Sequence, residues 1–266
     1  MMNFEELTQR VIGIVKETGL YILAERKNFS DQKDVEIKGH SNFVTYIDKG
    51  SEKRLVEKLG NLIPGSGFIA EEGTSDVRGE TYNWVIDPID GTTNFIHGLT
   101  PFSISVGLME NDKVVLGVVY EISHDEMFYA AKGTGAFLNG SPIKVTAHAD
   151  HQQSLIATGF PYCAFNQLDN YLACMKEMME KTGGVRRLGS AAVDLCYVAC
   201  GKFDAFWEYG LHPWDVAAGS FIVQQAGGKV TDFNGNNGYL FNGEIVATNS
   251  LYFNKFYEIV NKHLGK

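Results

Sequence analysis

Cysteine is scarce in this sequence, and its spacing argues against a thiolate metal site. The 266 residues contain 4 cysteines, and no two of them form a CxxC pair. Cys196 and Cys200 are separated by one helical turn in an apolar stretch, which is typical of a buried helix face. Cys163 and Cys174 lie elsewhere, in apolar or mixed surroundings. The pattern favours free thiols in a reducing, cytoplasmic location.

Long apolar runs are also absent. No window reaches the about 18 uninterrupted apolar residues that a membrane-spanning helix requires. Residues 1–10 are acidic and amphipathic, and they lack the basic region followed by an apolar segment that marks a secretory signal. The sequence therefore predicts a protein that neither crosses a membrane nor is secreted.

Basic residues are in the minority. Lys and Arg together number 23 against 32 Asp and Glu, which gives a net charge of −9. Such a balance disfavours nucleic-acid backbones and anionic membrane surfaces as partners. With 44% apolar and 12% aromatic residues, the composition is that of an ordinary globular protein. An enzyme acting on a small molecule fits these properties better.

Two common phosphate-handling motifs are missing as well. The sequence contains neither the GxxxxGK[ST] pattern of P-loop proteins nor the CxxxxxR pattern of cysteine-dependent phosphatases. Any chemistry on a phosphate ester must therefore use a different set of groups.

The most distinctive stretch is residues 84–98, which read WVIDPIDGTTNFIHG. Its first residues are apolar β-formers, and Pro88 disfavours the helical conformation at Asp87, so a buried strand is predicted to end where the carboxylates begin. Asp87 and Asp90 would then lie at the mouth of a strand. A single aspartate beside a glycine is usually only a turn residue, but two aspartates with a proline, a glycine and a threonine favour a functional site.

The groups that follow these aspartates favour phosphate and metal binding together. Gly91 allows a close backbone approach, and Thr92 offers a hydroxyl at what could be the start of a helical turn with free N–H groups. Carboxylates would repel a phosphate unless divalent cations lay between them. Oxygen ligands of this kind suit Mg²⁺, Mn²⁺ or Ca²⁺.

Three linked motifs resemble the inositol monophosphatase family. Residues 84–98 resemble its first signature, and residues 212–219, HPWDVAAG, resemble its second. The acidic AEEG at residues 70–73 lies upstream in the family's order and spacing. The resemblance extends from about residue 44 to residue 228 and implies a Mg²⁺-dependent, Li⁺-sensitive phosphomonoesterase that forms a homodimer.

The fold that the resemblance implies is an α-β-α-β-α sandwich of the type shared with fructose-1,6-bisphosphatase. It also implies two or three Mg²⁺ ions, for which Mn²⁺ can substitute. One ion would be held by Glu71, Asp87 and the carbonyl of Ile89, and a second by Asp87, Asp90 and Asp215, with a third near Glu71. Without the resemblance, an acid in the first turn of a helix would explain Asp215 equally well.

The remaining site residues are also assigned by resemblance. Water would attack the ester directly, without a covalent intermediate, oriented by Thr92 and Glu71 beside the Asp90 ligand. The N–H groups of Gly91 and Thr92 would hold the phosphate. Further substrate contacts would come from Gly189, Ser190, Ala191, Glu208 and, in a flap over the site, Lys38.

Several charged residues stay open between a structural and a functional role. Asp48 is explained equally well as a helix-start acid and as a site residue. Arg186 and Arg187 would suit a second phosphate if they face the pocket, but paired arginines are usually exposed to solvent. His97 and His212 adjoin the two motifs, and we expect both to be scaffold residues.

The chain divides into two patterns near residue 145. Residues 1–145 predict a helix ending near Lys27, an exposed, mobile loop at 28–42, a helix at 45–62, and antiparallel strands at 102–109, 114–120 and 126–131. A glycine-rich connection is predicted at 133–142. Residues 146–266 alternate strands and helices, with strands at 155–157 and 205–207 and helices at 167–181 and 190–200. We expect one catalytic unit built from these two subdomains, 1–145 and 146–266.

The substrate is the least determined property. A carboxylate at Glu208 accepts hydrogen bonds from a polyol and repels a second phosphate, which favours inositol 1-phosphate or a similar polyol monophosphate. Fructose 1,6-bisphosphate, a 3′-phosphoadenosine nucleotide and the 2′-phosphate of NADP are the alternatives. A catalytically silent metal- and phosphate-binding regulatory protein is the non-enzymatic alternative, and the complete set of acidic residues speaks against it.

Overall fold

Two β-sheets separated by a pair of helices organise the chain. The computed structural model describes residues 2–29, 35–39, 42–161 and 165–266. Within these residues one sheet has seven strands, which lie side by side in chain order, and the other has five, which lie in the order second, first, third, fifth and fourth along the chain. The helices are α1 (Phe4–Arg26), α2 (Tyr46–Leu62), α3 (Thr92–His97), α4 (Leu168–Lys181), α5 (Ala191–Ala199), α6 (Pro213–Gln225), α7 (Tyr239–Asn242) and α8 (Phe253–Leu264).

The strands of the first sheet lie side by side in the order in which they occur in the chain. They are β3 (Gly67–Ala70), β4 (Tyr82–Asp90), β5 (Ser103–Glu110), β6 (Lys113–Glu121), β7 (Glu126–Ala131), β8 (Gly135–Leu138) and β9 (Ser141–Ile143). The second sheet contains β10 (Leu155–Thr158), β11 (Gly184–Arg186), β12 (Ala205–Tyr209), β13 (Gly228–Thr231) and β14 (Glu244–Asn249). A separate hairpin pairs β1 (Val35–Gly39) with β2 (Asn42–Thr45).

Five layers result from how the helices cover these sheets. Helices α1 and α2 pack together on the outer face of the first sheet, and α4 and α8 pack together on the outer face of the second. Helices α5 and α6 lie between the sheets and contact strands of both. Each interface has its own apolar core, and the central one is built largely from the small residues of α5 and α6. The predicted α-β-α-β-α sandwich is confirmed.

The prediction is wrong in two regions of the chain, where the structure has strands. The described part of residues 28–42 contains β1 and the start of β2, where a loop was predicted, and Lys38 belongs to β1 although its side chain lies outside the described residues. Residues 133–142 form β8 and most of β9, which extend the meander, where a connection was predicted. Both regions are rich in glycine and polar residues, so hydrogen bonding to a neighbouring strand determines their conformation more than apolar patterning does.

The long helices and the meander are confirmed. Helix α1 begins after Asn3, whose side chain accepts a hydrogen bond from the N–H of Glu6. Helix α2 begins after Thr45, and β5, β6 and β7 lie within a residue or two of their predicted positions. Among the described residues, no helix combines the length and apolar character needed to span a membrane. The division into subdomains near residue 145 stays a prediction, although the chain passes from the first sheet to the second between Ile143 and Leu155.

Candidate active site

Two neighbouring aspartates and a third that is distant in the sequence converge at one end of the first sheet. Asp87 and Asp90 lie on β4, and Asp215 lies in the first turn of α6. Each offers a carboxylate oxygen within 4.8 Å of those of the other two. Asp87 and Asp90 are only 2% and 8% exposed. The packing of α6 against β4 in the central layer therefore creates an acidic cluster that local sequence alone does not contain.

An irregularity in β4 brings the first two aspartates together. Asp87 pairs with Ser105 and Asp90 with Ser103, so the bonding of β4 to β5 skips one residue between them, as in a β-bulge. The predicted end of the strand at Asp87 is therefore wrong. The reason is that β3 stops pairing with β4 at Ile86, so at Pro88 the strand has one free edge and the missing N–H costs no ladder bond there.

The Asp90 carboxylate ties this bulge to the beginning of α5. The Ser190 hydroxyl donates to Asp90 Oδ2 at 2.6 Å, and the N–H of Ala192 donates to the same oxygen at 2.8 Å. Burial raises the pKa of Asp90 to about 6, and these hydrogen bonds oppose that rise. One oxygen of Asp90 is therefore fixed by α5, and Gly189, Ser190 and Ala191 line the cavity beside it.

Glu71 shares the cavity with this cluster. It follows β3, which runs parallel to β4, and its N–H donates to the carbonyl of Ile86 at 3.3 Å. Burial raises the pKa of Glu71 well above its usual range, and the charge of Asp215 raises it further. Burial and the neighbouring Glu71 do the same to the pKa of Asp87. Glu71 and the three aspartates thus concentrate negative charge in one part of the cavity.

Thr92 and Asp48 complete the other side of the turn. Gly91 has a left-handed φ of 93° and begins α3, and the Thr92 hydroxyl lies 2.9 Å from the Ile89 carbonyl oxygen and 3.3 Å from Asp48 Oδ1. The other oxygen of Asp48 accepts the N–H of Thr45 at 2.8 Å, which completes a capping box at the start of α2. Burial raises the pKa of Asp48 to about 6. Asp48 is therefore a helix-start acid, as one of its two interpretations predicts, and its other oxygen contacts Thr92.

The far end of the cavity is formed by the second sheet. The cavity has a volume of about 260 Å³, and Glu208 of β12 lies buried in its wall. A Cβ atom at Gly159 would be 1.9 Å from Glu208 Oε1, so any larger residue there would displace this carboxylate. Burial raises the pKa of Glu208 well above its usual range, with Asp215 adding to the rise and Arg187 opposing it.

The two neighbouring arginines differ in position. Arg186 is exposed and donates to the carbonyl of Val185 at 3.1 Å. Arg187 lines the cavity, and its guanidinium lies 5.3 Å from the centre of the Phe160 ring. Sequence alone could not separate the two, because β11 ends at Arg186 and the alternation of a strand does not extend to the next residue.

Sequence reasoning missed one buried acid. Asp194 lies in the first turn of α5 and lines the cavity, and burial and then Glu208 raise its pKa well above the usual range. An aspartate within an otherwise small and apolar helix was the available signal. Of the two histidines, His212 lines the cavity and stacks on Trp214 with 4.7 Å between ring centres. Its backbone N–H donates to Asp215 Oδ2 at 2.6 Å. His97 is exposed.

The donor atoms of the cluster fit a divalent cation. They are carboxylate oxygens, with the Ile89 carbonyl nearby, and such oxygens are the preferred ligands of Mg²⁺ and Mn²⁺. The raised pKa values of Asp87, Asp90 and Asp215 show that burial leaves their charges costly until a cation compensates them. The cluster could therefore hold a metal ion.

Comparison with known proteins gives consistent matches over the chain. Residues 3–264 match the model of the inositol monophosphatase family. The putative Nus factor SuhB of Neisseria meningitidis serogroup B is 40% identical over 235 residues, 88% of this chain and 90% of that protein. The inositol-1-monophosphatase of Mesorhizobium japonicum is 38% identical over 232 residues, 87% of each chain.

Solved structures show the same similarity. The extragenic suppressor protein suhB of Bartonella henselae matches with a TM-score of 0.91 and 34% identity, covering 97% of this chain and 100% of the other. An IMPase of Thermotoga maritima matches with a TM-score of 0.86 and 35% identity, covering 95% of this chain and 96% of the other.

Proposed function

This chain belongs to the inositol monophosphatase family of hydrolases, and from that membership we propose that it hydrolyses inositol 1-phosphate or a similar polyol monophosphate to the alcohol and phosphate. The observation that supports this most is the acidic cluster of Asp87, Asp90 and Asp215, which opens into a cavity that ends at Glu208. The cluster suits the phosphate end of such a substrate through bound cations, and Glu208 suits its hydroxyl end.

The proposed cofactor is Mg²⁺, as two or three ions, with Mn²⁺ as a substitute. Its ligands would be Glu71, Asp87, the Ile89 carbonyl, Asp90 and Asp215. When bound, such ions neutralise charge on the phosphate and on the attacking and leaving oxygens. The complete set of these residues speaks against a catalytically silent binding protein.

The chain's own groups would position the reactants. The N–H groups of Gly91 and Thr92 at the start of α3 would hold the phosphate oxygens. The Thr92 hydroxyl has two oxygen acceptors, at Ile89 and Asp48, so its proton is engaged by one of them and a lone pair can accept from water. Glu71 would orient the same water from the opposite side.

We expect Thr92→Ala to lower kcat about a hundredfold, because it removes the group that orients water but no metal ligand. The Mg²⁺ concentration for half-maximal activity should stay near that of the wild type. Thr92→Ser retains the hydroxyl and should keep most of the activity. Steady-state kinetics at several Mg²⁺ concentrations would check this, and a near-normal rate for Thr92→Ala would contradict the assigned role.

The substrate proposal depends on how Glu208 and Arg187 divide the far end of the cavity. Glu208 is buried beside Asp194 and Asp215, and either protonation state of its carboxyl group can bond to a polyol hydroxyl. Arg187 supplies positive charge in the same wall, which favours the alternative substrates with a second phosphate. We keep the monophosphate as the proposal because Arg187 is already surrounded by the acidic groups Asp90, Asp194 and Glu208.

Glu208→Gln should lower kcat/KM on inositol 1-phosphate about tenfold, the effect of weakening one charged hydrogen bond. On fructose 1,6-bisphosphate the loss should be small. Phosphate release from a panel of inositol 1-phosphate, fructose 1,6-bisphosphate, NADP and a 3′-phosphoadenosine nucleotide would test this. Equal losses on all esters would refute the role of Glu208, and a wild type that ignores inositol phosphate would refute the substrate.

Partners and location complete the proposal. We propose a cytoplasmic homodimer, as the family resemblance implies, and its mass by light scattering would test this. The name of the Neisseria relative raises a second role as a Nus factor. The net charge of −9 speaks against direct binding to a nucleic-acid backbone. The small phosphate ester therefore remains the proposed ligand.

A further inference from the structure

A buried glutamate on α2 holds the segment that carries Glu71. Glu52 is fully buried, and its two oxygens accept hydrogen bonds from two backbone N–H groups beyond the end of β3. The N–H of Glu72 donates to Glu52 Oε2 at 2.7 Å, and the N–H of Thr74 donates to Glu52 Oε1 at 2.8 Å. Both oxygens of this carboxylate are thus committed to the loop that follows β3.

The loop is irregular, and its later part is held by the N–H of Phe68, which donates to the carbonyl of Val77 at 2.8 Å, and by Asn83, which bonds to Gly79 at 2.9 Å. Residues 71–81 contain neither helix nor strand, and Gly73 and Thr74 are exposed. Gly73 lies between the two donors with a left-handed φ of 69°, which turns both N–H groups toward one carboxylate. A Cβ atom at Gly73 would meet nothing within 4 Å. The bonds to Glu52 attach the first part of this loop to α2.

An attachment at this point bears directly on Glu71. The N–H of Glu71 is held by Ile86 of β4, and the next bonded N–H groups are held by Glu52 of α2. The Glu71 side chain forms a hydrogen bond with Asp87 and lies close enough to Asp215 to be repelled by its charge. A loop without the α2 attachment would relax away from the cluster. Fixing the backbone on both sides of the side chain opposes that movement.

We propose that Glu52 is a positioning residue that keeps the Glu71 carboxylate within reach of the metal cluster. The proposal rests on the proposed function, in which Glu71 is a Mg²⁺ ligand. It also gives α2 a single role: Asp48 and Glu52 stand one turn apart on the same helix face, and each reaches a different segment of the site.

Glu52→Gln tests this with little change in shape. The amide group has one acceptor oxygen, so it can hold one of the two N–H groups and must turn its own NH₂ toward the other. Mg²⁺ binding to chelator-stripped protein, measured by calorimetry, should weaken about tenfold or more, the usual effect of losing a group that orients a metal ligand. kcat at saturating Mg²⁺ should change much less.

Asp232→Asn is the matched control. Asp232 is also buried, and its Oδ1 accepts the N–H groups of Asn234 and Asn236 across a turn with a left-handed glycine, Gly235, away from the cavity. This variant should lower the melting temperature without changing the Mg²⁺ constant. If Glu52→Gln binds Mg²⁺ with the same dissociation constant as the wild type, the inference is overturned, whatever the melting temperature of the variant.

A second variant covers failure of the first to fold. Gly73→Ala places its methyl group in open space and strains only the turn, so it should also weaken Mg²⁺ binding. An unchanged constant there would equally count against a positioning role. A wild-type protein that binds no Mg²⁺ would overturn the proposed function and this inference with it, whereas equal binding by wild type and Glu52→Gln would overturn this inference alone.

Discussion

Replacing Asp90 with asparagine should lower kcat by about three orders of magnitude, which corresponds to the loss of about 4 kcal/mol of transition-state stabilisation by a bound cation. The hydrogen bonds of Asp90 explain why an amide cannot substitute. Ser190 and Ala192 both donate to Oδ2, so the amide oxygen of the asparagine must take that position. Its NH₂ group then points into the cluster, where it presents hydrogens to the cation instead of a lone pair.

The fold should tolerate this change. Burial raises the pKa of Asp90 to about 6, so at neutral pH the buried charge costs stability in the metal-free protein. Removing that charge should leave the melting temperature in chelator equal to or above that of the wild type. The measurement is kcat with saturating Mg²⁺ together with thermal unfolding in chelator. A stable variant with near-normal turnover would refute Asp90 as a ligand.

Removing divalent cations should abolish turnover, and adding Mg²⁺ or Mn²⁺ should restore it. The cluster offers carboxylate oxygens, so it favours hard cations such as Mg²⁺ and Mn²⁺, which a chelator can remove. The metal-free protein should also melt at a lower temperature, because cation binding neutralises the buried charge of Asp87, Asp90 and Asp215. Dialysis against chelator, followed by phosphate-release assays and melting curves, would check both effects.

Full activity in excess chelator would exclude the metal-dependent route. Restoration should be specific to cations that accept oxygen ligands, and the added ion should raise the melting temperature of the wild type more than that of Asp90→Asn. Inhibition by Li⁺ is a further expectation from the family resemblance, and insensitivity to Li⁺ would weaken that expectation alone.

Regular periodic segments of this chain were predictable, and irregular ones were not. Helices α1 and α2 and the meander carry apolar residues at helical or alternating spacing, so their positions followed from pattern. The continuation of β4 past Pro88 could not be predicted from pattern, because the free edge that accommodates the proline depends on where β3 ends. The hairpin of β1 and β2 has no such periodicity, so its pairing could not be read from the sequence.

The acidic cluster was predictable by resemblance, whereas its supports required three-dimensional structure. Asp87, Asp90 and Asp215 lie in recognisable motifs, and the structure brings them together. Arg187, just after β11, and Asp194 of α5 line the same cavity, but nothing in their local sequence indicates that position. The attachment of Glu52 to Thr74 spans 22 residues between a helix and a loop, a contact that spacing rules do not cover.

The position of α6 between the two sheets has a consequence for synthesis of the chain. All strands of the first sheet are complete by Ile143, but α6, which contacts β4 to β8, ends only at Gln225. Until then the apolar inner face of that sheet is uncovered on the nascent chain, and Asp215 is absent from the acidic cluster. We expect a fragment ending at residue 145 to bind the dye ANS strongly, which the complete protein should not do. The central layer therefore makes both assembly of the acidic cluster and burial of the first sheet late events on the ribosome.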